Sequence, residues 1–469
     1  MPPAGHGPES VRKWLRYATV EGALANVFIT FTGGAFVTGL ALLLGASDFE
    51  IGLLAAIPFL AQVAQLLTAY FIGRFKTRKG VVVWLSVVGR QSWWVVPAVL
   101  LFSGGWRLEV LLAVVFFSNV AVMIATPGWM SWMADIVPEK VRGRYFGVRS
   151  AALAVSTVTS VLTGGLILDY FKNQGHESTG FIIITILSCL FAGAAAMLLN
   201  RIPDPSGKDY RMDFSRSRMI EPLTDKRFRR LLYVFFAWNI SIGIAAPFFA
   251  PHMLTNLKMS FTLISIYSSV ASAAAIILNK PWGALIDRFG SKPVVAFCAF
   301  GIGIVPLIWV FPRSDFLSPL AFEAVYSGAL WTGFILAAFN IPIANSPQEN
   351  RTMYLAMFSV VTGLAFFASS LLGGVIAEAL SSVRWKIGAQ TIIKYHVLFA
   401  LSGLMRIGAA FLMLTFHEPK EKGLPVMIQF MGYAFLKRLS GGRHMFPWPL
   451  KRTKVTDYTA KTLCRGSEI

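Results

Sequence analysis

The stretch Gly-Gly-Leu-Ile-Leu-Asp at residues 164–169 recurs as Gly-Gly-Val-Ile-Ala-Glu at residues 373–378. A second pair of segments has the same spacing. Residues 138–145 carry a proline, an arginine and a tyrosine that residues 347–354 repeat in the same positions. The offset is 209 residues in both cases (373 − 164 and 347 − 138). The two halves of the chain therefore carry the same motifs in equivalent positions.

A third pair of segments, Gly-Arg-Phe at 73–75 and Asp-Arg-Phe at 287–289, follows a long apolar run each time. Three matched blocks in the same order indicate an internal duplication rather than coincidence. Parallel repeats of several helices are typical of one large group of membrane proteins. The sequence predicts two similar halves built from membrane helices.

Composition supports membrane helices. Of the 469 residues, 55% are hydrophobic and 14% are charged, whereas a soluble domain has roughly 25% charged residues. The apolar residues occur in runs of about 20, the length that crosses the hydrocarbon core of a bilayer as a helix. Lipid offers no hydrogen bonds to the backbone, so each run must be helical. We predict an all-α integral membrane protein with twelve spans, at residues 20–44, 50–71, 81–102, 108–133, 146–169, 180–199, 231–254, 261–284, 294–311, 318–343, 353–380 and 395–416.

These spans divide the chain into five segments. A short N-terminal segment, 1–19, precedes a six-helix bundle over 20–199, a linker over 200–230, a second six-helix bundle over 231–416, and a basic tail over 417–469. No removable signal peptide is evident before the first span. The tail contains an apolar stretch, 424–438, that is too short to span and ends in basic residues, which predicts a helix lying on the membrane surface.

The net charge of +20 arises mainly from Lys and Arg in the segments that lie on the same side as the N-terminus. That asymmetry is the positive-inside pattern, and it predicts that both termini are cytoplasmic. Nucleic-acid binding needs one basic face on a folded soluble module, so we expect no nucleic-acid partner. We expect a multi-pass protein of the bacterial cytoplasmic membrane that functions as a monomer.

Residues 283–292, Gly-Ala-Leu-Ile-Asp-Arg-Phe-Gly-Ser-Lys, resemble the signature loop between spans 8 and 9 of the major facilitator superfamily. The resemblance covers nearly the whole chain and implies two six-helix bundles that form one transporter. It implies that Gly283 permits close helix approach and that Asp287 pairs with cationic groups or caps a helix. The alternative is an ordinary turn with topology-setting charges. The predicted inner gate comprises Arg74, Arg78, Asp135, Arg142, Gly283, Asp287, Arg288 and Arg351.

The first half departs from this pattern, because Gly73 stands where the second half has Asp287. We expect Asp135, at the inner end of span 4, to supply a carboxylate near Arg74 or Arg78 instead. A second departure concerns span 5. Drug–proton antiporters of the family carry a Gly-Pro there, but this chain has Ser-Val at 160–161. Drug efflux is therefore not favoured.

Two carboxylates at membrane depth are our candidates for proton coupling, Glu21 in span 1 and Glu323 in span 10. A carboxyl group in a medium of low dielectric has a raised pKa, which suits it to carry a proton at neutral pH. Tyr326 lies one helical turn from Glu323, and we expect its hydroxyl to help receive the proton. The alternative for Glu21 is an interfacial position. Asp169 and Glu378, at the ends of spans 5 and 11, are expected to be solvated.

The resemblance implies a cavity lined chiefly by spans 1, 4, 7 and 10. Polar side chains are costly against lipid, so those at depth are expected to face inward, although hydrogen bonding between helices is an equally good interpretation of each. Pro247 is expected to bend span 7, and His252 to be a wet residue near its outer end. The cavity candidates are Asn26, Arg90, Asn119, Asn239, Tyr326, Trp331, Asn340 and Arg406.

No motif indicates an enzyme, a cofactor or a metal. No phosphate-binding or dinucleotide-binding loop is present, and the three cysteines lack metal-ligand spacing. The resemblance then implies a secondary transporter that moves a small solute by alternating access. Glu21 and Glu323 favour proton coupling, and facilitated diffusion and sodium coupling remain open alternatives. The alternative is a transport-inactive membrane sensor or scaffold with the same fold.

Overall fold

The computed structural model describes residues 8–75, 77–138, 141–204, 216–388, 390–416, 418 and 422–439. The described residues up to 418 belong to one compact unit, and those over 422–439 belong to a second. Almost all described residues are helical. The all-α architecture expected from the apolar runs is therefore confirmed.

The first half contains six spans, three of which are interrupted helices. Their bounds are α1 (Pro8–Phe31) with α2 (Gly34–Leu43) for span 1, α3 (Asp48–Ala61), a 3-10 turn (Gln62–Leu67) and α4 (Thr68–Phe75) for span 2, α5 (Arg78–Gln91), a 3-10 turn (Ser92–Trp94) and α6 (Val95–Leu101) for span 3, α7 (Arg107–Ile136) for span 4, α8 (Arg142–Asn173) for span 5 and α9 (Glu177–Asn200) for span 6.

A short helix, α10 (Arg216–Thr224), leads into the second half. The bounds there are α11 (Lys226–Gly243), a 3-10 turn (Ala246–Phe248), α12 (Phe249–Pro251) and a π turn (His252–Asn256) for span 7, α13 (Phe261–Phe289) for span 8, α14 (Ser291–Ile308) for span 9, α15 (Ser318–Ala344) for span 10, α16 (Arg351–Ala379) for span 11 and α17 (Lys394–Met413) for span 12.

Eleven helical stretches of the described residues are long and apolar enough to cross a membrane. The twelfth span is span 3, whose longest uninterrupted piece, α5, has only 14 residues. Its three pieces follow one another without a gap from Arg78 to Leu101. Span 7 breaks after Gly243 and continues through a 3-10 turn that contains Pro247, so the helix is interrupted at the proline where a bend was expected.

The repeated glycine pairs lie where helices of the two halves cross. A Cβ atom on Gly165 of span 5 would lie 2.9 Å from the carbonyl oxygen of Phe261 in span 8. A Cβ atom on Gly374 of span 11 would lie 2.8 Å from the Cα of Phe49 in span 2. Both distances are too short for any side chain. The duplication in the sequence thus corresponds to two equivalent crossings between the halves.

The expectation for Gly283 is wrong in this conformation. A Cβ atom there would have only the end of the Leu336 side chain within reach, at 3.9 Å, an ordinary van der Waals distance. The reason is that span 8 packs closely on the other half near its start, around Phe261, and not near its end.

A β-hairpin and a tail helix lie outside the twelve spans. An antiparallel hairpin of β1 (Arg384–Ile387) and β2 (Gln390–Ile393), which the sequence did not predict, joins spans 11 and 12. In the second unit, α18 (Leu424–Leu439) forms the helix that the tail sequence predicted over 424–438. The role of that helix at a membrane surface stays a prediction.

Candidate functional site

Side chains of one half cap helices of the other half at one face of the molecule. We call the side on which α1 begins the N-terminal face and the opposite side the far face. At the far face, the carboxylate of Asp169 accepts hydrogen bonds from the backbone N–H groups of Phe261 and Thr262, both at 2.8 Å. The carboxylate of Glu378 accepts one from the N–H of Phe49 at 3.0 Å. The two residues are not merely solvated, as the sequence suggested.

This arrangement has a clear electrostatic basis. The first N–H groups of a helix lack partners within the helix and carry partial positive charge, so a carboxylate binds there favourably. Asp169 ends span 5 and caps span 8, while Glu378 ends span 11 and caps span 2. Asp169 and Glu378 are equivalent positions of the repeat, four residues after the glycine crossings. We call them the far-face caps.

A third link closes the same face. Asp48, at the start of span 2, forms an ion pair with Lys394 at the start of span 12. The hydroxyl of Tyr395 donates a hydrogen bond of 2.7 Å to the same carboxylate. Two serine hydroxyls also donate across the halves at 2.8 Å, Ser265 to Val161 and Ser370 to Gly52. The far face is therefore held shut by polar contacts between the halves.

The N-terminal face is more open between spans 5 and 8. A groove of about 760 Å³ lies there, lined by one side of span 5 from Phe146 to Thr159 and by Ile276 and Asn279 of span 8. Asp287, at the end of span 8, is exposed, and the structure gives it no hydrogen bond or ion pair within the described residues. The two spans meet near the far face and diverge toward the N-terminal face.

Arg78 is the centre of a charge cluster at the N-terminal face. Its buried guanidinium lies 2.7 Å from Asp135 at the end of span 4 and 2.5 Å from Asp204 after span 6. It also donates a hydrogen bond of 2.8 Å to the hydroxyl of Ser131. The structure thus places Asp135 against Arg78, and Asp204 is a partner that the sequence analysis missed. All these groups belong to the first half, so the cluster ties spans 3, 4 and 6 together.

The other arginines of the predicted gate have different surroundings. Arg74 is exposed, and the Arg288 guanidinium lies over the adjacent Phe289 ring at 5.5 Å. The Nε atom of Arg351 is buried without a hydrogen-bond partner. The side chain of Arg142 lies outside the described residues. A gate formed by these residues stays a prediction.

A cavity of about 610 Å³ lies between the halves at mid-depth. Both halves line it, spans 1 to 4 on one side and spans 7 and 8 on the other. Its wall includes aromatic and apolar side chains such as Phe28, Trp93 and Phe249, together with the polar side chains of Ser118 and Asn119. Its volume is in the usual range for a site that encloses a small organic molecule.

Two of the eight cavity candidates from the sequence, Arg90 and Asn119, line this cavity. Of the others, Asn26 hydrogen-bonds Leu153 and Thr157 of span 5, and Asn239 and Asn340 donate to backbone carbonyls one turn back in their own helices. The six candidates other than Arg90 and Asn119 are not among the described residues that line this cavity, and their placement on a transport route stays a prediction. The six are Asn26, Asn239, Tyr326, Trp331, Asn340 and Arg406.

Arg406 and Trp331 pack inside the second half in different ways. Arg406 is enclosed within the protein, with 2% of its surface exposed, and its Nε atom has no hydrogen-bond partner. Trp331 packs its ring edge-on against Phe334 of the same helix, with ring centroids 5.7 Å apart. A helix periodicity shows which residues share a face, but it does not show which helix covers that face.

Both proton-coupling candidates are buried, at 3% exposure for Glu21 and 1% for Glu323. Glu21 is therefore enclosed by protein and does not face water or lipid. The expected partnership of Glu323 with Tyr326 is wrong, because the Tyr326 hydroxyl donates to the carbonyl of Gly301 at 3.1 Å. Instead, the hydroxyl of Tyr267 in span 8 donates to the Glu323 carboxylate. Tyr267 lies within one helical turn of Ile264 and Ser268, two residues of span 8 that line the cavity.

A pair of buried histidines was also missed. His252 of span 7, expected to be wet, is 1% exposed, and His396 of span 12 is 4% exposed. Their rings lie 5.1 Å apart. Both ring nitrogens of His252 and Nε2 of His396 have no hydrogen-bond partner within the described residues. No short-range pattern in the sequence connects two residues so far apart in the chain.

The sequence profile of the Major Facilitator Superfamily matches residues 22–245 and 239–449, one match for each half. The chain belongs to the Major Facilitator Superfamily. It is an integral multi-pass membrane transporter of twelve helices rather than an enzyme, and its class acts on small-molecule substrates.

Individual relatives are distant. An uncharacterized MFS-type transporter of Methanocaldococcus jannaschii is 20% identical over 386 residues, which cover 80% of this chain and 94% of the relative. A multi-drug resistance efflux pump, PmrA of Streptococcus pneumoniae, is 25% identical over 207 residues, covering 40% of this chain and 46% of the pump. The xylose transporter XylE from E. coli, in a partially occluded inward-open conformation, has a TM-score of 0.62 at 14% identity, covering 89% of this chain and 100% of XylE. At 14% identity, the likeness to XylE supports the fold alone.

Proposed function

We propose that this protein is a secondary active transporter that moves a small solute by alternating access through the 610 Å³ cavity. The observation that carries this proposal is the position of the cavity, enclosed between two repeated halves and walled by both. A solute held there changes its access from one side of the membrane to the other when the halves tilt. The described conformation is closed at the far face and open toward the N-terminal face.

We propose further that the N-terminal face is cytoplasmic, that the protein lies in the cytoplasmic membrane of a bacterium, and that one chain transports alone. The charge asymmetry of the loops supports this orientation. Under this assignment the structure is inward-facing. Cysteines at Arg201, exposed on the N-terminal face, and at Lys386, exposed on the far face, are then labelled from opposite sides of the membrane.

Uptake into proteoliposomes tests the function. The full chain is reconstituted, a proton gradient is imposed, and accumulation is measured for a panel of radiolabelled sugars, carboxylates, amides and amines. We expect accumulation of at least one compound above the level in protein-free liposomes, and its collapse when an uncoupler removes the gradient. The alternative, a transport-inactive sensor, binds a compound without moving it.

Glu323 is our first candidate for proton coupling, since it is buried and linked through Tyr267 to the cavity wall. Glu323→Gln keeps the size and hydrogen bonding of the side chain but cannot titrate. We expect this variant to lose uphill accumulation while it retains exchange of internal for external solute, because exchange needs no net proton movement.

Tyrosine variants provide a matched control. Tyr267→Phe removes the hydroxyl that bonds Glu323, and we expect it to change the pH dependence of uptake. Tyr326→Phe removes a hydroxyl that bonds Gly301 instead, and we expect an unchanged pH profile. Uphill uptake by Glu323→Gln with wild-type pH dependence would show that Glu323 is structural, and Glu21 would then be the remaining candidate.

A further inference from the structure

Arg90 gives the cavity a distinct chemical character. Of the described residues that line the cavity, it is the only one with an ionisable side chain. The other lining side chains are apolar, aromatic or small and neutral, such as Phe28, Trp93, Phe249 and Asn119. The cavity therefore offers one positive group and no negative group to a bound molecule.

The Arg90 guanidinium is weakly paired with its neighbour Glu21. Its Nη1 atom is buried and has no hydrogen-bond partner within the described residues. The carboxylate of Glu21 is near, but the two atoms are 3.5 Å apart, whereas charge-assisted N–H···O bonds are usually about 2.7–2.9 Å long. Nη1 is enclosed by protein and its ion-pair partner is distant, so Glu21 compensates the charge of Arg90 only in part.

The charge around Arg90 is unbalanced. Glu21 is shared with a second arginine, Arg149, whose Nη2 atom lies 3.9 Å from the same carboxylate. Arg149 further donates to the carbonyl of Ala18 and lies over the Trp129 ring at 4.7 Å. Two guanidinium groups thus face one carboxylate, which leaves one positive charge for a ligand at the cavity wall.

We infer that the transported solute is a small organic monoanion, such as a carboxylate with an apolar or aromatic body. This inference rests on the proposed function. The carboxylate accepts hydrogen bonds from Arg90, whose planar guanidinium matches it, and the body packs against Phe28, Trp93 and Phe249. A cation is repelled by Arg90. A sugar has many hydroxyl groups, for which this largely apolar wall offers few partners.

Paired compounds of equal shape test the charge of the solute. The full chain in detergent is titrated with benzoate, with its neutral isostere benzamide and with the cation benzylamine, and binding is followed by calorimetry. Uptake of the same compounds into proteoliposomes is measured in parallel with the sugar and amine panel. We expect benzoate to bind at least about tenfold more tightly than benzamide, since a hydrogen bond to a charged group contributes at least one tenfold step in affinity.

Three variants assign that preference to Arg90. We expect Arg90→Gln to weaken benzoate binding about 10- to 100-fold and to leave benzamide binding within about twofold. Arg90→Lys keeps the charge and is expected to retain part of the preference. Arg201→Gln removes an exposed arginine from the same half and is expected to have no effect.

The outcomes separate the two proposals. Uptake of sugars, amides or amines without carboxylates, or benzoate binding that is unchanged in Arg90→Gln, overturns the anion inference and leaves the transport function standing. Benzoate binding that depends on Arg90, without uptake of any compound, supports the anion site and overturns transport. Neither binding nor uptake of any member of the panel overturns both.

Discussion

Removing the carboxylates of both far-face caps, with Asp169→Ala and Glu378→Ala in one chain, is expected to raise the reactivity of a cavity cysteine from the far side at least about tenfold. The caps bond the helix N-termini of the opposite half, so these bonds exist only while the far face is closed. A hydrogen bond to a charged group contributes about 1.5–3 kcal/mol. Glu378 is exposed, and water offsets part of its contribution.

Even a loss of about 1.4 kcal/mol from the closed state raises the open population tenfold. The measurement uses Ser268→Cys, which lies in the cavity wall, in a background without Cys464. Intact cells are treated with a membrane-impermeant maleimide, which reaches Ser268→Cys only when the far face opens. We expect slow labelling in the parent and faster labelling in the double variant.

Glu177→Ala is the matched control. Glu177 is a carboxylate at the same face, but its partner is Lys172 of its own half, at 3.5 Å. Its removal is expected to leave the labelling rate unchanged. If the double variant also labels at the parent rate, the glycine crossings and the remaining contacts of Asp48, Ser265 and Ser370 are sufficient to hold the far face closed, and the caps serve only to stabilise spans 2 and 8.

The repeat and the apolar runs were sufficient to predict the architecture, because a membrane helix is a local property of about 20 residues. The glycine pairs could be recognised because they too are local motifs. Their role at helix crossings could not be predicted, because the residues they contact, Phe49 and Phe261, are distant in the sequence and belong to the opposite halves. Span edges moved because helices such as α1 and α8 extend beyond the bilayer-length apolar core of each run.

The site was predictable only in part. Arg90 and Glu21 were identified because charge at membrane depth is costly and therefore informative. Their pairing across spans 1 and 3 was not predicted, and neither were the partnerships of Asp169 and Glu323. Periodicity identifies residues that share a helix face, such as Glu323 and Tyr326, but a neighbouring helix supplied the closer hydroxyl. The identity of a partner is a tertiary property.

Arg78→Gln is expected to produce the largest loss of stability, about 3 kcal/mol. The variant leaves the carboxylates of Asp135 and Asp204 without the guanidinium that lies between them. Removing one partner from a buried ion pair costs about 3–5 kcal/mol. We expect the low end, because the Asp135 side chain is 44% exposed and water compensates its charge in part. The measurement is thermal unfolding of the purified chain in detergent.

Arg74→Gln is the control for that experiment, since Arg74 lies four residues earlier in the repeated segment and is exposed. We expect an almost unchanged melting temperature. The triple variant Arg78→Gln, Asp135→Asn and Asp204→Asn removes the charges of the two carboxylates as well, and we expect it to be more stable than Arg78→Gln alone. Such non-additivity is the signature of interacting residues. A triple variant as unstable as the sum of its single changes would instead mean that Arg78 stabilises spans 3, 4 and 6 by packing, and that the charges contribute little.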